Sequence, residues 1–138
     1  MSLFYRALLL LLVFFTLPAT GTDFRYVAED LHEQGRTIYN YRCYFCHGYS
    51  GDAKTLTSTF LSPAPRDFTR TDPESLSRQS MIKTVKEGKP GTAMHGFERV
   101  LTDQEITTVV EFVRTEFMLE QRPNTRYHTA ANGWPNHD

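Results

Sequence analysis

Cys43-Tyr44-Phe45-Cys46-His47 sets two thiols three positions apart and follows them at once with an imidazole. On a helical backbone that spacing puts both thiols on one side, about one turn apart. Each thiol can add to one vinyl group of a haem, and the adjacent histidine then falls beneath the iron. The run is the attachment pattern of c-type haem. Two other uses of paired cysteines fit less well. A thioredoxin-like dithiol belongs to a βαβ setting, and no stretch of this chain carries convincing strand alternation. A structural zinc needs further ligands at suitable spacing, and a disulfide framework uses more cysteines spread along the chain; this chain has 2. The expected cofactor is therefore one covalently attached haem c, bound by Cys43 and Cys46, with His47 as an iron ligand.

Upstream of the motif, residues 28–42 read as a helix with Leu31, Gly35, Ile38 and Tyr39 on one side. Further upstream, Arg6 precedes an apolar block from Leu8 to Phe15, and Pro18, Ala19, Thr20 and Gly21 follow it. A basic start, a short apolar core and small residues make the pattern of a signal peptide. Cleavage is expected after Gly21, with Ala19 as the alternative, which implies a periplasmic location. The competing reading is a retained anchor, but the block is shorter than the ~20 residues a spanning helix needs. Membrane association is expected only if the segment is kept. No cysteine follows the block, so a lipid-modified N-terminus is excluded.

The chain holds 15 basic and 16 acidic side chains, and removing residues 1–21 removes only Arg6, leaving 14 − 16 = −2. A nucleic-acid partner would need a basic footprint, and none is expected.

Downstream, residues 48–72 are rich in Gly, Pro, Ser, Thr and Asp and read as loop. Asp72-Pro73-Glu74 predicts a helix start, so that a short helix occupies much of 73–87 and buries Leu76, Ile82 and Val85. Gly88 stops it and Pro90 prevents resumption. Thr102 and Glu105 form a capping box. Ile106, Val109, Val110, Val113 and Phe117 then give the most clearly amphipathic helix in the chain. Pro123 ends any continuation. The predicted class is all-α, a bundle of three to four helices around one haem. The predicted organisation is a signal peptide over 1–21, a domain over 22–121 and a polar, aromatic tail over 122–138. So few short helices struggle to bury a core alone, and a flat apolar cofactor supplies a centre.

Over roughly residues 28–120 the chain resembles a class I c-type cytochrome. The resemblance rests on Gly35-Arg36-Thr37-Ile38-Tyr39, Cys43 to Gly48, Pro63-Ala64-Pro65-Arg66-Asp67-Phe68, Gly91-Thr92-Ala93-Met94-His95-Gly96-Phe97, and the helix Thr102 to Phe117. It implies a cytochrome c-like bundle and a second iron ligand, for which Met94 is the candidate. The family often has proline after that methionine; here His95 stands there and is a competing ligand. Met81 and Met118 fall in helical segments and are expected in the core or on the surface. The resemblance also implies that Gly35 and Tyr39 face the last helix near Phe112 and Val113. A proline carbonyl, that of Pro65 in preference to Pro63, is expected to accept the N–H of His47. Arg66 is a candidate partner of a haem propionate, with a solvated loop arginine as the alternative.

The remaining polar residues carry weaker expectations. His32 is expected on an exposed helix face, and His128 and His137 in the tail. Lys83, Lys86 and Lys89 form either a solvated face or a docking patch for an acidic partner. The tail, with Tyr127 and Trp134, packs on the domain, stays disordered or docks on a partner. With His47 and Met94 filling both axial positions, the implied function is single-electron carriage between a redox-protein donor and acceptor, not enzymic catalysis. The alternatives are a fixed electron-transfer subunit of a larger periplasmic oxidoreductase, and a haem enzyme or gas sensor with a labile sixth ligand.

Overall fold

The structure, a computed structural model, describes residues 24–120. Residues 1–23 and 121–138, which include the expected signal peptide and the expected tail with Tyr127, His128, Trp134 and His137, lie outside the described residues. Four α-helices follow in order: α1 Phe24–Arg42, the one-turn α2 Tyr44–His47, α3 Arg78–Glu87 and α4 Asp103–Val113. Two 3-10 turns, Thr57–Phe60 and Phe68–Arg70, punctuate the long loop, and α4 runs on into a π-helical turn, Arg114–Leu119. The only β-type pairing among the described residues is the isolated bridge Gly88–His95. The all-α expectation holds.

α1 starts four residues before the expected boundary, since no Gly or Pro interrupts Phe24 to Gln34. Its buried stripe is also shifted. Gly35, Arg36 and Tyr39 are buried, whereas Leu31 is 38 % exposed. Gly35 permits the approach of α4: a Cβ there would stand 2.6 Å from Phe112 Cβ and 2.7 Å from the Thr108 carbonyl oxygen. Tyr39 fills the crossing, with ring centroids 5.6 Å from Phe112 and 5.1 Å from Phe117. The predicted contact of Gly35 and Tyr39 with the last helix is present.

His32 is not the exposed residue expected of it. Its ring lies 5.0 Å from that of Phe112, and its Nε2 is 2.9 Å from the carboxylate of Glu116. Arg36, 6 % exposed, reaches the other Glu116 oxygen at 3.4 Å and stacks over Phe112. Glu116 is itself 4 % exposed. Buried charges persist where they are paired, and this cluster ties α1 to the π-helical turn.

The third helix begins later than Asp72-Pro73 predicts. Asp72 Oδ1 accepts from the Glu74 N–H at 3.0 Å, but this closes only a turn. Ser77 is extended and its hydroxyl accepts from the Ser80 N–H, so Ser77 is the true N-cap. Met81 is the residue α3 buries deepest; Leu76, Ile82 and Val85 are half-buried against the same core. Gly88, at φ +81°, ends the helix as expected. On α4 the capping box is complete. Beyond Val113 the wider π turn changes the helical register, so that Glu116, Phe117 and Met118 are all buried in succession.

Candidate haem site

α2 is a direct extension of α1. The Cys43 N–H still donates to the Tyr39 carbonyl at 2.8 Å, and the Cys46 and His47 N–H groups both bond to the Cys43 carbonyl, at 3.2 and 3.0 Å. Gly48, at φ +76°, ends the turn. Its carbonyl accepts from the buried hydroxyl of Tyr39 at 2.7 Å, which fixes the exit of the motif to the α1–α4 crossing.

Cys43, Cys46 and His47 line a cavity of about 840 Å³, within the size range of cofactor pockets. Met81, Val85 and Met94 face it from α3 and the following loop. Met94 is half-buried. Its N–H donates to Thr92 Oγ1 at 3.1 Å and its carbonyl accepts from the Lys89 N–H at 2.8 Å. His95 borders the same cavity but is exposed. Its backbone pairs with Gly88, and its ring lies against Phe97 with centroids 4.6 Å apart.

His47 Nδ1 is 3.0 Å from the carbonyl oxygen of Arg66. A carbonyl only accepts, so Nδ1 carries the proton and Nε2 keeps its lone pair. Burial pushes the His47 pKa down, which keeps the ring neutral. The expected acceptor was the Pro65 carbonyl; the bond falls one residue later. Pro65 and Pro63 line the cavity instead. The main chain of Arg66 therefore takes the place expected of Pro65, and the exposed Arg66 side chain lies at the cavity edge with Arg42, Lys83 and Lys89. The His47 ring also stacks on Phe68, centroids 4.7 Å apart and planes at 21°. Nothing in the sequence signals this contact between Phe68 and the histidine.

The thiol of Cys43 packs against the core, and burial pushes its pKa up to about 12. Two thiols, a neutral imidazole with a free lone pair, and a soft thioether around a largely apolar cavity fit a haem. The three lysines of α3 and its loop make a weaker patch than their spacing suggests. Lys86 pairs with Asp103 at 2.7 Å and Lys83 with Glu87 at 4.0 Å.

The sequence profile of the family described as cytochrome c oxidase, cbb3-type, subunit III matches residues 30–113, more than half of the chain. The chain belongs to this cytochrome c family. It is 36 % identical over 72 residues to cytochrome c55X of Stutzerimonas stutzeri, a match covering 50 % of this chain and 53 % of that protein, so it spans about half the length of this relative. The Kuenenia stuttgartiensis reducing HAO-like protein complex shares the fold, with a TM-score of 0.55 at 23 % identity over 77 % of this chain and 48 % of the other. The KustC0563 c-type cytochrome is 30 % identical, with a TM-score of 0.49 over 59 % of this chain and 94 % of its own. The protein is a class I monohaem cytochrome c with covalently bound haem c. Among the described residues no helix is long and apolar enough to cross a membrane.

Proposed function

We propose that this cytochrome is an exported, periplasmic single-electron carrier whose haem is attached through Cys43 and Cys46 and ligated by His47 and Met94. The observation that carries the reading is the convergence of these four side chains on one cavity. When bound, haem iron supplies a one-electron Fe(II)/Fe(III) couple. His47 offers Nε2 because Arg66 holds the proton on Nδ1. Met94 offers an uncharged thioether, a ligand that raises the reduction potential. Leu76, Met81 and Val85 line the cavity and would exclude water from it, and Arg66 at its edge would pair with a propionate. With His47 and Met94 both holding the iron, no position would remain on it for a substrate, and no acid–base residue would be needed. Residues 1–21 are the export signal, 22–121 the haem domain and 122–138 an appended tail.

Mass spectrometry of the exported protein tests the attachment and the processing together. The account expects an N-terminus at Thr22 and one haem on the wild type. Cys43→Ser with Cys46→Ser is expected to abolish covalent haem. Rapid carbon monoxide binding by the reduced wild type at neutral pH would instead favour a gas sensor or haem enzyme.

A second reading, a fixed subunit of a larger oxidoreductase, draws on exposed apolar residues beside the motif. Phe45 stands exposed on α2, and Leu56 and Phe60 stand exposed just before and at the end of the 3-10 turn packed against it. Clustered exposed apolar side chains mark contact surfaces. Co-purification of a partner that survives high salt, and is lost on truncation of 122–138, would separate this from free diffusion.

A further inference from the structure

His47 carries two restraints of different kinds. The Nδ1–H bond to the Arg66 carbonyl fixes the direction of one ring edge. It leaves the ring able to rock about that bond, because the terminal torsion of a histidine is broad. The face-on contact with Phe68 at 4.7 Å and 21° blocks that rocking from one side. Phe68 is itself held. Its N–H donates to the Gly51 carbonyl at 2.8 Å. Asp67 caps its turn, accepting from the Thr69 N–H at 2.9 Å and hydroxyl at 2.6 Å. Gly51 in turn lies so near Phe117 that a Cβ would stand 2.6 Å from that ring. A continuous set of contacts thus runs from the π-helical turn of α4 to the proximal imidazole.

The plane of an axial imidazole decides which iron d orbital it overlaps. That choice sets the rhombic splitting of low-spin Fe(III) and the distribution of unpaired spin over the haem. Groups behind a metal-bound histidine orient it and tune the metal in this way.

We propose that Phe68 is a positioning residue that fixes the plane of the His47 ring and thereby the electronic asymmetry of the ferric haem; this rests on His47 being an iron ligand. Removing the ring face while keeping an apolar side chain frees the imidazole to rotate without opening the cavity to water.

The test is electron paramagnetic resonance and proton NMR of purified ferric holoprotein, comparing wild type, Phe68→Leu and Phe68→Tyr. Phe68→Leu is expected to keep covalent haem and a low-spin iron but to shift the g-values and the spread of the haem-methyl resonances. Phe68→Tyr, which retains the ring face, is expected to keep the wild-type spectra. Wild-type spectra in Phe68→Leu would overturn the proposal while leaving His47 as ligand. A low-spin signal in the wild type that survives unchanged in His47→Ala would overturn the ligand assignment and the proposal with it. If Phe68→Leu fails to fold, the reduced wild type decides. Cross-relaxation between the Phe68 and His47 ring protons supports the stacked arrangement, and its absence overturns it.

Discussion

The side of the cavity that carries His47 and the side that carries Met94 are held by different forces. Behind His47 stand Phe68, Gly51 and Phe117, and the motif's exit is tied to Tyr39 at the α1–α4 crossing. These are close-packed side-chain contacts that reach the buried core. Around Met94 the bonds are mainly main-chain or local: Lys89 N–H to the Met94 carbonyl, Phe97 N–H to the Val85 carbonyl at 2.9 Å, and Thr92 beneath the Met94 N–H. The ion pairs that join α3 to α4, Lys86–Asp103 and Arg78–Glu111, lie near the surface and contribute little. One proposed ligand is thus placed by the core and the other by a loop. Changes behind His47 are therefore read in folding, and changes around Met94 in ligand exchange.

The largest expected effect lies behind the histidine. Gly51→Ala would place a methyl in the Phe117 ring at a backbone φ of +71°. Overpacking and left-handed strain together are expected to cost about 3 kcal/mol in urea unfolding of the holoprotein. A loss below about 1 kcal/mol would show that the core does not buttress this wall.

Arg36→Met tests the same wall from α1. It removes a cation from the buried Glu116 carboxylate, leaving His32 as the partner shown on its other oxygen. Removing the permanently charged partner of a buried carboxylate is expected to destabilise by about 3 kcal/mol. The doubly substituted Arg36→Met, Glu116→Leu protein is expected to recover much of this, and failure to recover would show that packing of Arg36 over Phe112, not charge, is what matters.

On the methionine side the expected effects are smaller and of another kind. Thr92→Val removes the acceptor beneath the Met94 N–H. It is expected to leave the unfolding midpoint nearly unchanged but to speed carbon monoxide binding to the reduced protein about fivefold, the equivalent of about 1 kcal/mol. A shifted midpoint with unaltered binding would mean that the loop is part of the core after all.

The smallest effect concerns α4, which both walls share. The N–H and hydroxyl of Thr102 hold the Glu105 carboxyl below its ordinary value. A depressed carboxylate pKa stabilises the fold above the unfolded value, and the gain is lost as pH falls through the folded one. Stability should therefore decline slightly from about pH 4.5 downward, and Glu105→Gln should remove that slope. An identical acid profile in the variant would show that the capping carboxylate is not linked to folding.

The helical class and the attachment motif were legible in the sequence because each depends on local spacing, whereas the crossing at Gly35 was implied by the family resemblance. The capping box at Thr102 and Glu105 was legible from its local spacing. The start of α3 was not, because Asp72 and Ser77 are both competent caps, and only Ser77 has an uninterrupted helix after it. Nor was the His32–Glu116–Arg36 cluster, which joins residues 80 and 84 positions apart. The carbonyl behind His47 was misplaced by one residue because both candidates lie on the same loop, and loop curvature is decided by tertiary contacts such as Phe68 N–H to Gly51.

The ligation proposed above would have His47 and Met94 both hold the haem iron. It is tested most directly by the ferric absorption spectrum and redox titration of Met94→Ala beside His95→Ala. The account predicts that Met94→Ala keeps covalent haem, loses the long-wavelength charge-transfer band of methionine-ligated iron and falls in reduction potential, while His95→Ala matches the wild type. Loss of that band in His95→Ala with an unchanged spectrum in Met94→Ala would contradict it.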